Sequence, residues 1–123
     1  MAKKKLLIYD DELDILEVMK IMLSKEYDVV TRSNVTDVIG EVLDVNPDLI
    51  LMDIWIPEIG GDKAVASLKN DERTQGIPIV YFSANTEIER YARESGADGF
   101  ISKPFDMKKV KECLTRLIEN SQN

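Results

Sequence analysis

The sequence predicts an α/β protein, a five-stranded parallel sheet wound on both sides by five helices. Three observations lead there. Short, fully apolar runs alternate along the chain with segments of helical period. Within the runs polar residues do not alternate with apolar ones, so both faces of each strand are covered, as in a parallel sheet. Right-handed crossovers between such strands place helices on both sides and give a doubly wound layer sandwich.

Each element follows in order. Leu6 to Tyr9 is the first strand, closed by Asp10-Asp11-Glu12. From Glu12 to Ser24 the period is helical, with Leu16, Met19 and Leu23 on one stripe and Ile15 and Met22 beside it. Asp28 to Arg32 carries the β-branched Val29-Val30-Thr31 of a second strand. Val35, Val38, Ile39 and Val42 follow helical spacing, and Asn46-Pro47 signals a turn. Leu49 to Met52 is the central apolar run, closed by Asp53. Pro57, Gly60 and Gly61 mark a loop, and a helix follows through Ala64, Ala66 and Leu68. Gly76 breaks the chain before Ile77 to Phe82, a buried run ending at Ser83, with Pro78 tolerated near its start. Thr86 and Glu89 stand three apart, a capping-box pattern before the next helix, and Gly96 suits its end. Phe100-Ile101 is the last strand, followed by Ser102-Lys103-Pro104. Asp106 is placed to cap a final helix whose stripe is Val110, Cys113, Leu114, Leu117 and Ile118.

Composition narrows the function. The 123 residues amount to one domain, residues 1–123, since domains average about 150 residues. Hydrophobic residues make up 44% and charged residues 32%, as in a soluble globular chain. There are 16 Lys and Arg against 23 Asp and Glu, a formal net charge of −7. Phosphate-backbone binding depends on clustered cations, so direct nucleic-acid binding is not expected. The absence of His excludes Ser-His-Asp and Cys-His catalysis and His-metal sites. The single Cys113 excludes an intrachain disulfide and a Cys-rich zinc site, and fits a reducing compartment. Lys3-Lys4-Lys5 before an apolar run imitates a leader, but the run ends at Asp10, short of the h-region of about 7–15 residues. No segment reaches the ~18 apolar residues of a membrane span. A cytoplasmic protein without membrane contact is expected.

The functional argument rests on where polar residues fall. In a parallel sheet the strand C-termini share one edge, where ligands bind at the reversal of winding. Asp10-Asp11, Asp53, Ser83 and Lys103 end the first, third, fourth and fifth strands; Arg32-Ser33, ending the second, is left outside the site. Crowded carboxylates repel, and a hard divalent cation relieves them, with oxygen ligands favouring magnesium over zinc. A cation, the ammonium of Lys103 and the hydroxyl of Ser83 together meet the needs of phosphoryl transfer. Asp53, alone at the end of the central strand, is the carboxylate nucleophile that would form an aspartyl phosphate.

At these residues the chain resembles a family. Asp10-Asp11-Glu12, Leu51-Met52-Asp53-Ile54 with Pro57 four residues beyond the Asp, Ser83-Ala84 and Lys103-Pro104-Phe105 look like the receiver domain of two-component response regulators, from about Lys4 to Leu117. The resemblance implies the flavodoxin-like strand order 2-1-3-4-5. It also implies that Asp53 is the phosphoacceptor, that Asp11 ligates magnesium directly and Asp10 largely through water, and that Asp53 and the backbone carbonyl of Trp55 complete the protein ligands. Lys103 would pair with the phosphoryl group, and its bond to Pro104 is often cis in the family. Ser83 and Phe100 would be the switch pair, altering the face of the fourth helix, fifth strand and fifth helix. On priors Phe100 also reads as core. The implied partners are a sensor histidine kinase or phosphotransfer protein and a downstream protein target or fused output domain. The implied assembly is a monomer, or a weak dimer on phosphorylation. Such a domain is a switch and not an enzyme, apart from its own phosphoryl transfer and dephosphorylation. Departures are Ser83 where Thr is commoner and Gly60 before Gly61 where many members have Asp-Gly, which suggests a looser loop. Trp55 and Asn85 occupy positions that tune phosphoryl lifetime, and Trp55 is placed to shield the acyl phosphate. No DNA-binding output domain is expected after Ile118.

Two other functions compete. A magnesium-dependent aspartyl-nucleophile phosphatase would carry a second Asp two residues after the nucleophile and a cap insertion; position 55 is Trp. A constitutive interaction module would keep the fold without needing the acids and Lys103.

Overall fold

The computed structural model describes residues 3–55, 60–84 and 86–121. Ten elements alternate: β1 (Lys4–Tyr9), α1 (Leu13–Leu23), β2 (Tyr27–Arg32), α2 (Val38–Val45), β3 (Leu49–Met52), α3 (Gly61–Lys69), β4 (Ile79–Ser83), α4 (Ile88–Ser95), β5 (Gly99–Ser102) and α5 (Met107–Ser121). The five strands form one parallel sheet in the order β2-β1-β3-β4-β5, as the resemblance implies.

Strand side chains alternate between two packed layers. Leu7, Tyr9, Ile50, Met52, Ile79 and Tyr81 face α2, α3 and α4 through Val38, Val42, Ala64, Leu68, Ile88 and Ala92. Leu6, Ile8, Leu49, Leu51, Val80 and Phe82 face α1 and α5 through Leu16, Met19, Leu23, Val110, Leu114 and Ile118. Each such fully buried apolar side chain contributes about 1.5–3 kcal/mol relative to exposure. β1, β3 and β4 are the strands covered on both faces. The edges differ: β5 alternates half-buried with exposed residues, and Phe100 is 42% exposed. The core reading of Phe100 is therefore corrected. It sits on the outer strand, where one face lacks a full helical cover.

Three boundaries move for local reasons. Val35 is fully buried but lies before α2, because Asp37 caps that helix by accepting a bond from the Gly40 N–H at 3.2 Å. β4 starts at Ile79 and not Ile77, since Pro78 has no N–H to give the ladder; its carbonyl instead accepts from the Ile50 N–H at 3.0 Å. The Thr86–Glu89 capping box does not form. Buried Ile88 sets the first turn, so Glu87 is the N-cap and makes no side-chain cap bond. Arg90 holds that end instead, paired with Glu87 and with Glu94 at 3.5 Å. The caps expected at Gly96 and Asp106 form, and Asn46, read as a turn signal, also caps a helix. Asn46 and Gly96 close α2 and α4 with positive φ of 54° and 82°. The Asp106 side chain accepts from the Lys108 N–H at 2.8 Å and opens α5.

Candidate functional site

Backbone bonds between neighbouring strand ends build the rim. The Asp53 N–H donates to the Tyr9 carbonyl at 2.9 Å, the Asp10 N–H to Arg32 at 3.2 Å and the Lys103 N–H to Ser83 at 2.9 Å. The peptide Lys103–Pro104 is cis. These contacts bring the C-terminal ends of β1, β3, β4 and β5 level, and with them Asp10, Asp53, Ser83 and Lys103.

Asp10 is fully buried, and Asp53 and Ser83 nearly so. The Lys103 ammonium lies 2.7 Å from Asp10 Oδ2, 3.4 Å from Glu12 Oε1 and 3.7 Å from Asp53 Oδ2. Asp10 Oδ1 accepts from the Glu12 N–H at 2.9 Å, and Asp53 Oδ1 from the Trp55 N–H at 3.3 Å. The Ser83 hydroxyl favours the ionised form of the Asp53 carboxylate, a smaller influence than burial or Asp10. Burial raises the pKa of Asp10 above the usual Asp value despite the Lys103 bond. Burial and then the negative charge of Asp10 raise that of Asp53. For Lys103, burial disfavours the ammonium, but the bond to Asp10 and the fields of Asp10, Asp53 and Glu12 outweigh it and hold its pKa above the ordinary lysine value.

Carboxylate oxygens of Asp10, Asp11 and Glu12 lie within 4.8 Å of one another. The donor set is oxygen only, two buried carboxylates repel across the site, and exposed Asp11 opens it to solvent. These residues fit a hard divalent cation.

Two predicted residues stand apart. The Trp55 indole is 62% exposed, and what this residue gives Asp53 is its backbone N–H. Phe100 faces outward on β5, three residues before Lys103. Pro57 and Asn85 lie outside the described residues. The expectation of a looser loop at Gly60 falls largely there too; the described end is tied down by the Gly61 N–H, which donates to the Ile54 carbonyl at 2.8 Å. Two residues were missed. Glu12 joins the acidic group and reaches Lys103; its adjacency to Asp10-Asp11 was the available signal. The Phe82 ring lies beneath the Lys103 ammonium, 5.0 Å from nitrogen to centroid, and no motif marks it.

Fold and site together define a doubly wound α/β domain with an acidic pocket at the C-terminal edge of its sheet. The model of the response regulator receiver domain family matches residues 6–115, and the chain belongs to that family. It is 34% identical to the phosphate regulon transcriptional regulatory protein PhoB of Pseudomonas aeruginosa over 98% of this chain and 54% of PhoB. The chain thus spans about half the length of that relative. The N-terminal domain of the nisin resistance regulator NsrR superposes with a TM-score of 0.81 at 36% identity, over 94% of this chain and 97% of that one. The receiver domain of a sensor histidine kinase from Pseudomonas aeruginosa PAO1, solved with a magnesium ion coordinated in its active-site cleft, superposes with a TM-score of 0.87 at 23% identity, over 96% and 99%. The phosphatase alternative finds no support among these relatives. Among the described residues no helix is long and apolar enough to cross a membrane.

Proposed function

We propose that residues 1–123 are a single receiver domain acting as a phosphorylation-dependent switch, with Asp53 the phosphoacceptor. The observation that carries this is a buried carboxylate, Asp53, with the Lys103 ammonium 3.7 Å away and already bound at 2.7 Å to Asp10. A carboxylate oxygen of Asp53 attacks the phosphorus of a phosphohistidine on a sensor kinase or phosphotransfer protein. The P–N bond breaks as the new P–O bond forms, and the imidazole leaves with the electron pair and takes a proton from water. Acetyl phosphate would serve the same way, with acetate leaving. Lys103 moves toward a phosphoryl oxygen, and the Ser83 hydroxyl turns from the carboxylate to another.

Magnesium is the cofactor these donors suit, held by Asp10, Asp11, Asp53 and the Trp55 carbonyl, and what it supplies when bound is neutralisation of charge on the phosphoryl oxygens. Coordination of magnesium in the histidine-kinase receiver supports this reading. The response passes through Ser83 and Phe100 to the α4-β5-α5 face, which meets a downstream protein or a fused output domain, as a monomer or a weak phosphorylation-driven dimer. The domain works in the cytoplasm without membrane or direct nucleic-acid contact and is not an enzyme beyond its own phosphoryl chemistry. PhoB is a transcriptional regulator; any such role of the protein that contains this chain would rest on an output beyond this domain.

The test is incubation with acetyl phosphate and magnesium, read by intact mass. One phosphoryl group is expected, lost on chelation of the metal and absent in Asp53→Asn. An equal mass gain in Asp53→Asn overturns the assignment.

A further inference from the structure

We propose that Phe82 is a positioning residue for phosphoryl transfer, its ring face holding the Lys103 ammonium on the Asp53 side of the site. The proposal rests on Asp53 being the phosphoacceptor. The Lys103 side chain is 10% exposed, so its charge has lost most of its water. Hydrogen bonds to Asp10 at 2.7 Å and to Glu12 at 3.4 Å replace part of that hydration. The Phe82 ring, 5.0 Å from the nitrogen, supplies the electron-rich face of an aromatic quadrupole at a distance where cations are attracted.

The direction of this attraction matters. Two carboxylates compete for the ammonium beyond Asp10: Glu12 at 3.4 Å, 61% exposed at the rim, and Asp53 at 3.7 Å, buried. Only the second position helps the transfer. Four flexible carbons connect Lys103 to its backbone, so the stem can follow either. Phe82 is fully buried in β4, one residue before Ser83, and its ring packs against Phe105 with centroids 4.9 Å apart and planes at 56°. It is a fixed surface at the inner side of the pocket. Cation attraction to a ring face needs no single donor direction. The ammonium therefore keeps this contact while its hydrogen bond passes from Asp10 to a phosphoryl oxygen on Asp53. Removing the attraction leaves the rim position with Glu12 more populated and the productive one less.

The test is a fluorination series at Phe82 alone, incorporated in place of the natural residue. Added ring fluorines weaken the quadrupole and leave the shape nearly unchanged. Phosphorylation by acetyl phosphate with magnesium is followed across donor concentrations. The expected result is a stepwise fall in the rate at saturating donor, about three- to tenfold across the series, with half-saturation by donor unchanged and thermal midpoints held. NMR of Phe82→Leu gives a second signature: the Lys103 ε-methylene protons lose the upfield ring-current shift that they show over the ring. Equal rates across the series, or ε-methylene shifts indifferent to Phe82→Leu, overturn the proposal. The unmodified domain run beside its Asp53→Asn variant separates this failure from that of the parent reading. If Asp53→Asn takes up the phosphoryl group, Asp53 is wrong; if it does not and the fluorinated series runs flat, only the role of Phe82 falls.

Discussion

The ammonium of Lys103 and the buried carboxylate of Asp10 lie 2.7 Å apart, 93 residues distant in the chain. Asp53, the nearer neighbour along the sheet, is 3.7 Å from the same nitrogen. One cation thus serves two buried anions, an imbalance among the protein's own charges. A divalent cation would offset that imbalance.

Removing the ammonium exposes it. Lys103→Met leaves Asp10 and Asp53 buried without their counter-charge, a loss of about 3 kcal/mol at neutral pH. Magnesium should recover part of it. Urea unfolding with and without the cation measures both effects, and a variant as stable as the parent in chelator would show that the ion pair contributes nothing.

Removing one anion should do the reverse. The pKa of Asp53 is raised above 3.8, chiefly by burial and then by Asp10. A carboxyl with a raised folded value prefers its neutral form in the fold. Its cost is absent below the ordinary value and sets in as pH rises through the folded one. Asp53→Asn should therefore be more stable by about 1 kcal/mol at neutral pH in chelator, and the gain should vanish below pH 3.8. A gain that grows in acid contradicts this sign.

Behind Asp53 the backbone is tight. A Cβ at Gly61 would run into the carbonyl oxygen of Asp53 itself. Gly61→Ala should cost about 1–3 kcal/mol and slow phosphorylation as well, because Asp53 must shift. Thermal unfolding and the acetyl phosphate rate check the two halves; an unchanged rate would mean that the backbone yields without moving the carboxylate.

Away from the pocket, Glu41 gathers four donors. The Tyr9 hydroxyl reaches one oxygen at 2.7 Å, and the Thr36 N–H, Thr36 hydroxyl and Asp37 N–H reach the other at 3.1, 2.9 and 3.0 Å. Partial burial disfavours the carboxylate, but these bonds prevail and its pKa is lowered from 4.5. A lowered value stabilises above the ordinary pKa and is lost as pH falls through the folded one. Glu41→Gln should cost about 1–3 kcal/mol at neutral pH, and the deficit should narrow below pH 4.5. A deficit constant from neutrality into acid would rule out the carboxylate as its source.

Much of this architecture is legible in one dimension. Leu6–Tyr9, Leu49–Met52 and the run from Ile77 to Phe82 read as strands because a run covered on both faces tolerates no polar residue, although the last of these strands begins two residues later, at Ile79. Each run ends where a polar residue reaches the open edge, so Asp10, Asp53 and Ser83 declare themselves. Helix ends are read less well. Thr86 and Glu89 have the spacing of a capping box, yet the burial of Ile88 decides where α4 starts. Phe100 has the composition of core, but only strand order shows β5 at an edge.

The sequence by itself determined the alternation of elements, the parallel sheet and the residues delivered to its C-terminal rim, since period and run length are local properties of the chain. Tertiary structure alone decided that Lys103 binds Asp10 more closely than Asp53, that Glu12 competes for it and that the Phe82 ring lies beneath it. Those relations depend on how far strands separated by tens of residues advance along one another and which way a flexible side chain then turns. Ångström distances between remote segments are set by packing, which no local pattern of residues encodes.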